Sequence, residues 1–266
     1  MSMFARWRAA GLIVPGLLTL ALLPVLIGLG NWQWHRKSWK EALISRIETR
    51  RTAEPISYPA VLAEYVKTGD VEYMHMRVTG RFDYSRERHL YHPTDQSQGW
   101  DVYTLLIPDG GLPPLFVNRG WVPETLKDPS KRAEGQVAGP VTVTGLVRLA
   151  QPKPWFAPDN DYAGNRWYWP DLEGMQWGPE GPPTPLQFNT EKRQAYAPFS
   201  LDADAAPPNP GGWPRGGTTE INLPNNHLQY VVTWYGLALT LIAVFAVFAR
   251  QRLAAVEDDG LQSKKE

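Results

Sequence analysis

Two uncharged, apolar stretches near the ends of the chain decide its architecture: residues 11–30, GLIVPGLLTLALLPVLIGLG, and residues 228–249, LQYVVTWYGLALTLIAVFAVFA. Each is long enough to cross about 30 Å of hydrocarbon at roughly 1.5 Å per residue. The first exceeds the roughly 7–15 apolar residues of a signal peptide and lacks a clear A-x-A cleavage site, so an anchor is favoured over a cleaved leader. Arg250 and Arg252 close the second stretch, for which a buried helix of a soluble protein is the alternative.

These stretches predict a two-pass membrane protein with both termini on one side. We expect a cytoplasmic N-terminus at 1–10, transmembrane helices at 11–30 and 227–249, an extracytoplasmic domain at 31–226, and a cytoplasmic tail at 250–266. The arginines after the second span favour this orientation, whereas the cations around the first span favour the reverse. The second span is given more weight, because long domains translocate largely regardless of charge.

Composition excludes several classes of function. The 266 residues include 27 Lys+Arg and 27 Asp+Glu, so the chain lacks the positive charge expected of a nucleic-acid-binding protein. Without cysteine it can form no disulfide, thiolate metal site or cysteine nucleophile. It also contains no GxSxG, HExxH or glycine-rich phosphate loop, and we therefore predict that it is not an enzyme.

The region between the spans is typical of a β-rich α+β domain. A helix continues from the first span to before Pro55, and an amphipathic helix is predicted from 58 to 67 with Gly69 as its stop. Apolar and polar residues then alternate, with a turn at 109–111, which predicts an antiparallel sheet or small barrel with strands at 74–79, 100–107, 115–119 and 141–148.

Proline dominates the rest of the domain, since 13 of the 25 prolines fall between residues 151 and 214. Proline lacks a backbone N–H and is unsuited to central strands. We therefore expect a Pro/Gly-rich loop over 176–217, with at most short edge strands near 186–189 and 194–201. A last strand is expected at 221–223.

Three motifs carry a resemblance to a known family. Residues 30–40, GNWQWHRKSWK, look like the G-x-W-Q-x-x-R-x-x-W-K signature of the surfeit locus protein 1 family. Residues 116–123, FVNRGWVP, resemble its V-N-R-G-W-V-P motif. Residues 225–235, NNHLQYVVTWY, resemble its N-N-H-L-x-Y-x-x-T-W-Y entry into the second span. The similarity covers nearly the whole chain in order.

This resemblance implies an assembly factor for haem–copper cytochrome c oxidase, acting where haem a enters the catalytic subunit, without catalytic turnover. It implies a bacterial cytoplasmic (inner) membrane location with the domain in the periplasm. The implied partners are the oxidase catalytic subunit, haem a synthase and the lipid bilayer, with no nucleic acid. The histidine of the N-N-H-L motif is associated with haem a binding, which assigns the axial iron ligand to His227.

The sequence is compatible with a haem site at the outer membrane edge. His227 lies where the second span begins, and the positive end of a helix dipole disfavours protonation of its imidazole. Cations would suit the propionates, and an aromatic set could flank the macrocycle. The candidate cations are Arg36, Lys40 and Arg119, and the candidate aromatic residues are Trp32, Trp39, Tyr230 and Trp234.

Each assignment has an alternative. Arg36 and Lys40 could snorkel to lipid headgroups, and the tryptophans could form an ordinary aromatic belt. The residues around Arg119 could form a tight turn that packs the domain onto the membrane helices. Met74-His75-Met76 could suggest copper, but on a strand the methionines point away from the histidine and are typical of core residues. A structural assembly chaperone that binds no haem and a two-span sensor unrelated to respiration are the alternative functions.

Overall fold

The computed structural model describes residues 2–94, 97–180, 196–219 and 225–262. These residues divide into two compact units. The helical unit combines Met1–Arg46 with Asn222–Glu266, and the barrel unit is Ile47–Ile221. The predicted strand at 221–223 and the predicted edge strand at 186–189 lie outside the described residues.

In the described residues the helical unit is built from three helices: α1 is Met3–Ala9, α2 is Ile13–Thr52, whose last six residues belong to the barrel unit, and α4 is His227–Gln262. As predicted, α2 continues without interruption from the first apolar stretch and ends before Pro55. Helices α2 and α4 are each long and apolar enough to cross a membrane. Only 11% of the apolar window of α4 is buried, which argues against the alternative of a buried helix in a soluble protein.

Where the structure describes the barrel unit, it contains one further α-helix, α3, and seven strands. Helix α3, Tyr58–Thr68, starts with a proline in its first turn and ends at Gly69 in the left-handed conformation, as the sequence predicts. The strands are β1 (Ile56–Ser57), β2 (His75–Tyr91), β3 (Gly99–Pro108), β4 (Leu115–Pro123), β5 (Val141–Leu149), β6 (Arg166–Trp167) and β7 (Phe199–Ala203).

The sheet closes into a small barrel. Its strand order is β1-β2-β3-β4-β7-β5, and β5 pairs back onto β2. The expected barrel is therefore present, but the expectation of a purely antiparallel sheet is wrong, because β4 pairs with β7 in parallel and the short β1 and β6 both run parallel to β2. Parallel pairs need long connections, and the 75 residues between the end of β4 and the start of β7 supply one.

The main apolar core lies between the barrel strands and α3. Tyr58 and Val61 of α3 are buried against side chains of β2, β4 and β7, and the Tyr58 hydroxyl donates to the carbonyl oxygen of Pro113 at 2.8 Å. Met76 is fully buried in this core. His75 faces the other way and contacts Asp204, so the interpretation of the methionine as a core residue is confirmed.

Strand β7 corrects the expectation that residues 176–217 are loop with at most edge strands. Phe199–Ala203 lies between β4 and β5 and completes the barrel. The five residues contain no proline, since Pro198 precedes them and Pro207 follows. Their N–H groups are therefore all available for pairing, and the high proline content of the flanking sequence does not apply to the strand itself.

The V-N-R-G-W motif lies inside β4 and does not form a tight turn, the alternative that its sequence allowed. Gly120 has φ +116° and faces the backbone of residue 215. Trp121 exchanges backbone hydrogen bonds with Arg215, and both are 2.9 Å. The motif thus joins a barrel strand to the segment that follows β7.

We predict that Gly120→Ala destabilises the barrel unit. A Cβ at Gly120 would lie 1.9 Å from the carbonyl oxygen of Arg215, and the positive φ adds strain, for a combined cost of about 2–4 kcal/mol. The melting temperature should fall by roughly 5–15 °C, measured by near-ultraviolet circular dichroism. Gly139→Ala is the matched control, because Gly139 also has positive φ (+98°) but a Cβ added there would meet no atom within 4 Å. An equal loss in both variants would contradict the packing argument.

The ion pair of His75 with Asp204 predicts a pH dependence of stability. Burial alone would lower the pKa of His75, but the Asp204 carboxylate at 2.8 Å and the Ala53 carbonyl outweigh it and raise the pKa above 6.5. The native state then holds this proton more tightly than the unfolded chain, so the stabilisation is full below about pH 6.5 and is lost as the pH rises through the native pKa.

The measurement is the difference in stability between the native sequence and His75→Asn as a function of pH. We expect a difference under about 1 kcal/mol that declines above pH ~6.5. A difference that grows with pH would contradict the assignment.

Candidate functional site

The two segments of the helical unit that carry the family-like motifs contact each other: one lies in the middle of α2 and the other at the start of α4. His227 Nδ1 lies 2.7 Å from Gln33 Oε1, across 194 residues of sequence. The Tyr235 hydroxyl donates to Asn31 Oδ1 at 2.6 Å. Gly30 permits this approach, because a Cβ there would lie 2.8 Å from the Tyr235 ring. Residues 30–33 of α2 and 227–235 of α4 therefore form one candidate site, which we term the helix-pair site.

The contact with Gln33 fixes the tautomer of His227. A glutamine carbonyl oxygen only accepts, so Nδ1 must carry the proton and donate. In the neutral ring Nε2 then keeps its lone pair, and the described residues give it no hydrogen-bond partner. His227 is also the first residue of α4. The arrangement presents an oriented imidazole on a side chain that is partly exposed.

Cationic side chains share the face of α2 that carries Gln33. Arg36 and Lys40 follow Gln33 by three and seven residues, which places all three along one helix face at about 3.6 residues per turn. Lys37 is paired with Glu41 at 2.6 Å. Arg36 and Lys40 have no carboxylate partner among the described residues, although the Arg36 guanidinium lies 4.4 Å from the centre of the Trp39 ring. These two charges are available to an anionic group.

The facing surface of α4 adds one unpaired donor. Trp234 lies seven residues after His227 on the same face, together with the buried Val231 and Ala238. Its indole Nε1 is buried and has no hydrogen-bond acceptor in the described part of the chain. Tyr230, three residues after His227, is half-exposed at the edge of this face. The helix-pair site thus combines an imidazole acceptor, an indole donor and two cations.

The remaining predicted aromatic residues lie on the flank of α2. Trp32 and Trp39 are seven residues apart and are 57% and 52% exposed. By helix geometry Trp32 is turned about 100° from Gln33, and neither ring forms an aromatic pair with a described ring of α4. Their positions fit an aromatic belt at a membrane edge at least as well as direct contact with a ligand.

Arg119 differs from the other predicted site residues because it is an interior group of the barrel unit. It is 2% exposed. Its Nη2 donates to the Gly135 carbonyl oxygen and to Asn209 Oδ1, and its guanidinium stacks on Phe82 and Tyr84 at 4.9 and 5.3 Å. A propionate could reach it only by displacing these neighbours, so its expected role at the membrane edge has no support in the structure.

Sequence reasoning missed Gln33, Asn31 and Tyr235 as members of the site. All three lie within the quoted motifs, and the available signal was their polar groups at the edge of an apolar stretch: Asn31 and Gln33 follow the first stretch directly, and Tyr235 lies about two turns into the second. The signal was weak because an amide or phenol at a membrane edge usually contacts water or lipid headgroups. Only the pairing across the two helices gives these residues a role.

Together, the fold and the site define a class of protein: a closed β-barrel domain that lies in sequence between two apolar helices, with an oriented histidine at the entry to the second helix. The SURF1 family model matches residues 20–239. "Surfeit locus protein 1" of Takifugu rubripes is 36% identical over 251 residues, covering 87% of this chain and 96% of that protein. The protein of that name from Rattus norvegicus is 35% identical, covering 84% of this chain and 72% of the rat protein.

A "SURF1-like protein" of Monosiga brevicollis extends the similarity to a further eukaryote, at 33% identity over 88% of this chain and 86% of that protein. With the family model matching most of the chain, this protein belongs to the SURF1 family.

We predict that His227 occupies the Nδ1–H tautomer and that Gln33→Ala weakens this preference. Removing the acceptor leaves Nδ1–H unpaired, so the Nε2–H form should rise to a comparable population. Long-range ¹H–¹⁵N correlation spectra of ring nitrogens report the tautomer directly, and His227→Asn identifies the signals. Ser38→Ala on the same helix is the control and should leave the ring signals unchanged. A native Nε2–H tautomer would contradict the assigned geometry.

Proposed function

We propose that this protein binds haem a at the helix-pair site and assists its insertion into the catalytic subunit of cytochrome c oxidase. The observation that carries the proposal is the Gln33–His227 hydrogen bond, because it leaves Nε2 as an available ligand atom. Ligating histidines usually donate their second ring N–H to an orienting acceptor, as His227 does here. Family membership supports the same role.

The donor set fits a haem. His227 Nε2 would hold the iron, which supplies the redox chemistry once it resides in the oxidase. Arg36 and Lys40 would bind the propionates by charge-assisted hydrogen bonds. Trp234 offers its unpaired indole N–H, while Tyr230 and, less directly, Trp32 and Trp39 would cover the edge of the macrocycle. Arg119 takes no part in this proposal, because it is buried in the barrel unit.

The same geometry favours transient binding. His227 is partly exposed at the first turn of α4, and Arg36 lies on the surface of α2. Because these groups are accessible before binding, a ligand can leave without unfolding either helix. In this proposal the protein is not an enzyme. It sits in the bacterial inner membrane with its barrel in the periplasm, where it contacts the oxidase catalytic subunit and haem a synthase.

The test is to purify the full chain from cells that make haem a and to measure bound haem by absorption. The native protein should carry haem a, and His227→Ala should reduce the haem-to-protein ratio to background. Gln33→Ala should lower the apparent affinity by about 10-fold, since it removes only the orienting group. His35→Ala is the matched control, because His35 lies on nearly the opposite face of α2 from Gln33.

Two results would overturn the haem assignment: native protein that carries no haem, or His227→Ala that carries as much as the native protein. If the haem-free protein still restored oxidase assembly in a deletion strain, the alternative role as a structural chaperone would be favoured. Unchanged oxidase haem content after deletion would instead favour a function outside respiration.

A further inference from the structure

A second candidate site lies in the barrel unit, in a cavity of about 260 Å³ on the outer face of the sheet. Three of its lining residues lie side by side on adjacent strands. Tyr103 of β3 is in register with Asn118 of β4, and Asn118 is in register with Asp202 of β7. Arg148 of β5, which is paired with Ser200, lies at the far edge. The cavity is thus built across four neighbouring strands by polar side chains that share one face.

Two buried carboxylates in this cavity each have one oxygen without a partner among the described residues. Asp101 is 6% exposed; its Oδ2 contacts His92 Nδ1 at 2.8 Å, and its Oδ1 is unpaired. Asp202 is also 6% exposed; its Oδ2 accepts from Thr219 at 2.9 Å and from Arg148 at 3.3 Å, and its Oδ1 is unpaired. Leaving buried acceptors unpaired is costly, so two in one cavity indicate a missing donor.

The charges around the cavity favour a cation. Arg148 is the only arginine or lysine among the described lining residues, and it also pairs with Glu72 at 3.0 Å outside the cavity. Arg148 is thus shared between Asp202 and Glu72, while the partner of Asp101 is His92. Burial raises the pKa of Asp202, and the nearby charge of Asp101 raises it further, although the charge of Arg148 and the side chains of Thr219 and Asn118 act in the opposite direction. A bound cation would offset this excess of negative charge.

The walls restrict the kind of cation. Apolar side chains surround the carboxylates, contributed by Leu90, Leu149, Pro170 and Leu172. A metal ion would suit an all-oxygen cage, but the described residues contain no group of three His, Asp or Glu side chains that could hold one. A primary ammonium on a short alkyl chain matches both features in its chemistry, because its N–H groups are donors for carboxylate oxygens and its methylenes are apolar, like the leucines and the proline of the wall.

We propose that this cavity, termed the Asp101–Asp202 site, binds an alkylammonium group, supplied by a small amine or by a lysine side chain of a partner protein. The site lies wholly within the barrel unit. It is independent of the helix-pair site and of the proposed haem function.

The test titrates the purified full-length protein with 4,4,4-trifluorobutylamine, followed by ¹⁹F NMR, with 4,4,4-trifluorobutanol as the neutral analogue. We expect saturable binding of the amine alone. Asp101→Asn and Asp202→Asn should each weaken it by about 10-fold or more, because each removes a buried charge partner. Asp109→Asn is the matched control, since Asp109 is an exposed aspartate in a turn outside the cavity. Near-ultraviolet circular dichroism checks the fold of each variant.

A further variant guards against misfolding of the aspartate variants. Thr218→Phe keeps both carboxylates and narrows the cavity from its wall, and it should also abolish binding. Displacement of the probe by Nα-acetyl-lysine methylamide at equal or lower concentration than butylamine would point to a lysine side chain as the source. Displacement by butylamine alone would point to a free amine.

Four results would overturn the proposal: no saturable binding of the amine, equal binding of the alcohol, native-like affinity in both folded aspartate variants, or displacement of the probe by millimolar calcium. The last result would reassign the cavity to a metal ion.

Discussion

Closure of the barrel depends on strand β2, because it pairs with both β3 and β5. Strand β2 is 17 residues long: residues 75–80 pair with β5, and residues 80–91 pair with β3 apart from a register shift between Asp83 and Arg88. Gly80 marks the exchange, because it is in register with both Pro108 and Val141. A Cβ at this position would lie 2.3 Å from the Ile107 carbonyl oxygen. The close crossing at Gly80 is therefore what allows the sheet to curl and close without leaving its central strands an open edge.

Closure at β2 fixes the registers from which the rest of the unit follows. With β5 held on one side and β3 and β4 on the other, β7 completes the ring. Its alternation sends Phe199 and Leu201 into the core and Ser200 and Asp202 to the outer face. The polar cavity is thus a consequence of barrel closure, since the pairing of β7 with β4 places Asp202 opposite Asn118.

Local sequence patterns predicted most elements but not how distant elements pair. Helices α2, α3 and α4 and the four strands β2, β3, β4 and β5 follow from apolar runs and from period-two alternation, whereas helix α1 and the two-residue strands β1 and β6 were not predicted. Strand β7 shows the same alternation over Phe199–Ala203, but five residues flanked by prolines are too short to distinguish from a loop. Its parallel pairing with β4 depends on a long connection, and no local pattern encodes that choice.

The site residues divide in the same way. Two motifs predicted that His227 and residues 30–40 contribute to a binding site. Their positions at the ends of the two predicted spans also predicted that they lie at the same membrane edge. The motifs did not predict that Gln33 is the partner of His227, because a glutamine side chain is compatible with many environments. Nor could they separate Arg119, an interior residue held by Gly135 and Asn209, from the exposed Arg36, since both belong to family-like motifs.

Both sites contain polar side chains in which one atom is hydrogen-bonded and another is not, but this arrangement has different consequences for a ligand at each site. In each, one atom of a polar side chain is fixed by a neighbour and the other is left open: His227 Nε2 beside Gln33, and the Oδ1 atoms of Asp101 and Asp202 beside His92 and Arg148. The open imidazole is partly exposed, so water can satisfy it at little cost when no ligand is bound. The open carboxylate oxygens are buried, and each costs about 1–3 kcal/mol while unpaired. The helix-pair site is therefore suited to a ligand that is released, whereas the cavity is suited to an occupant that stays.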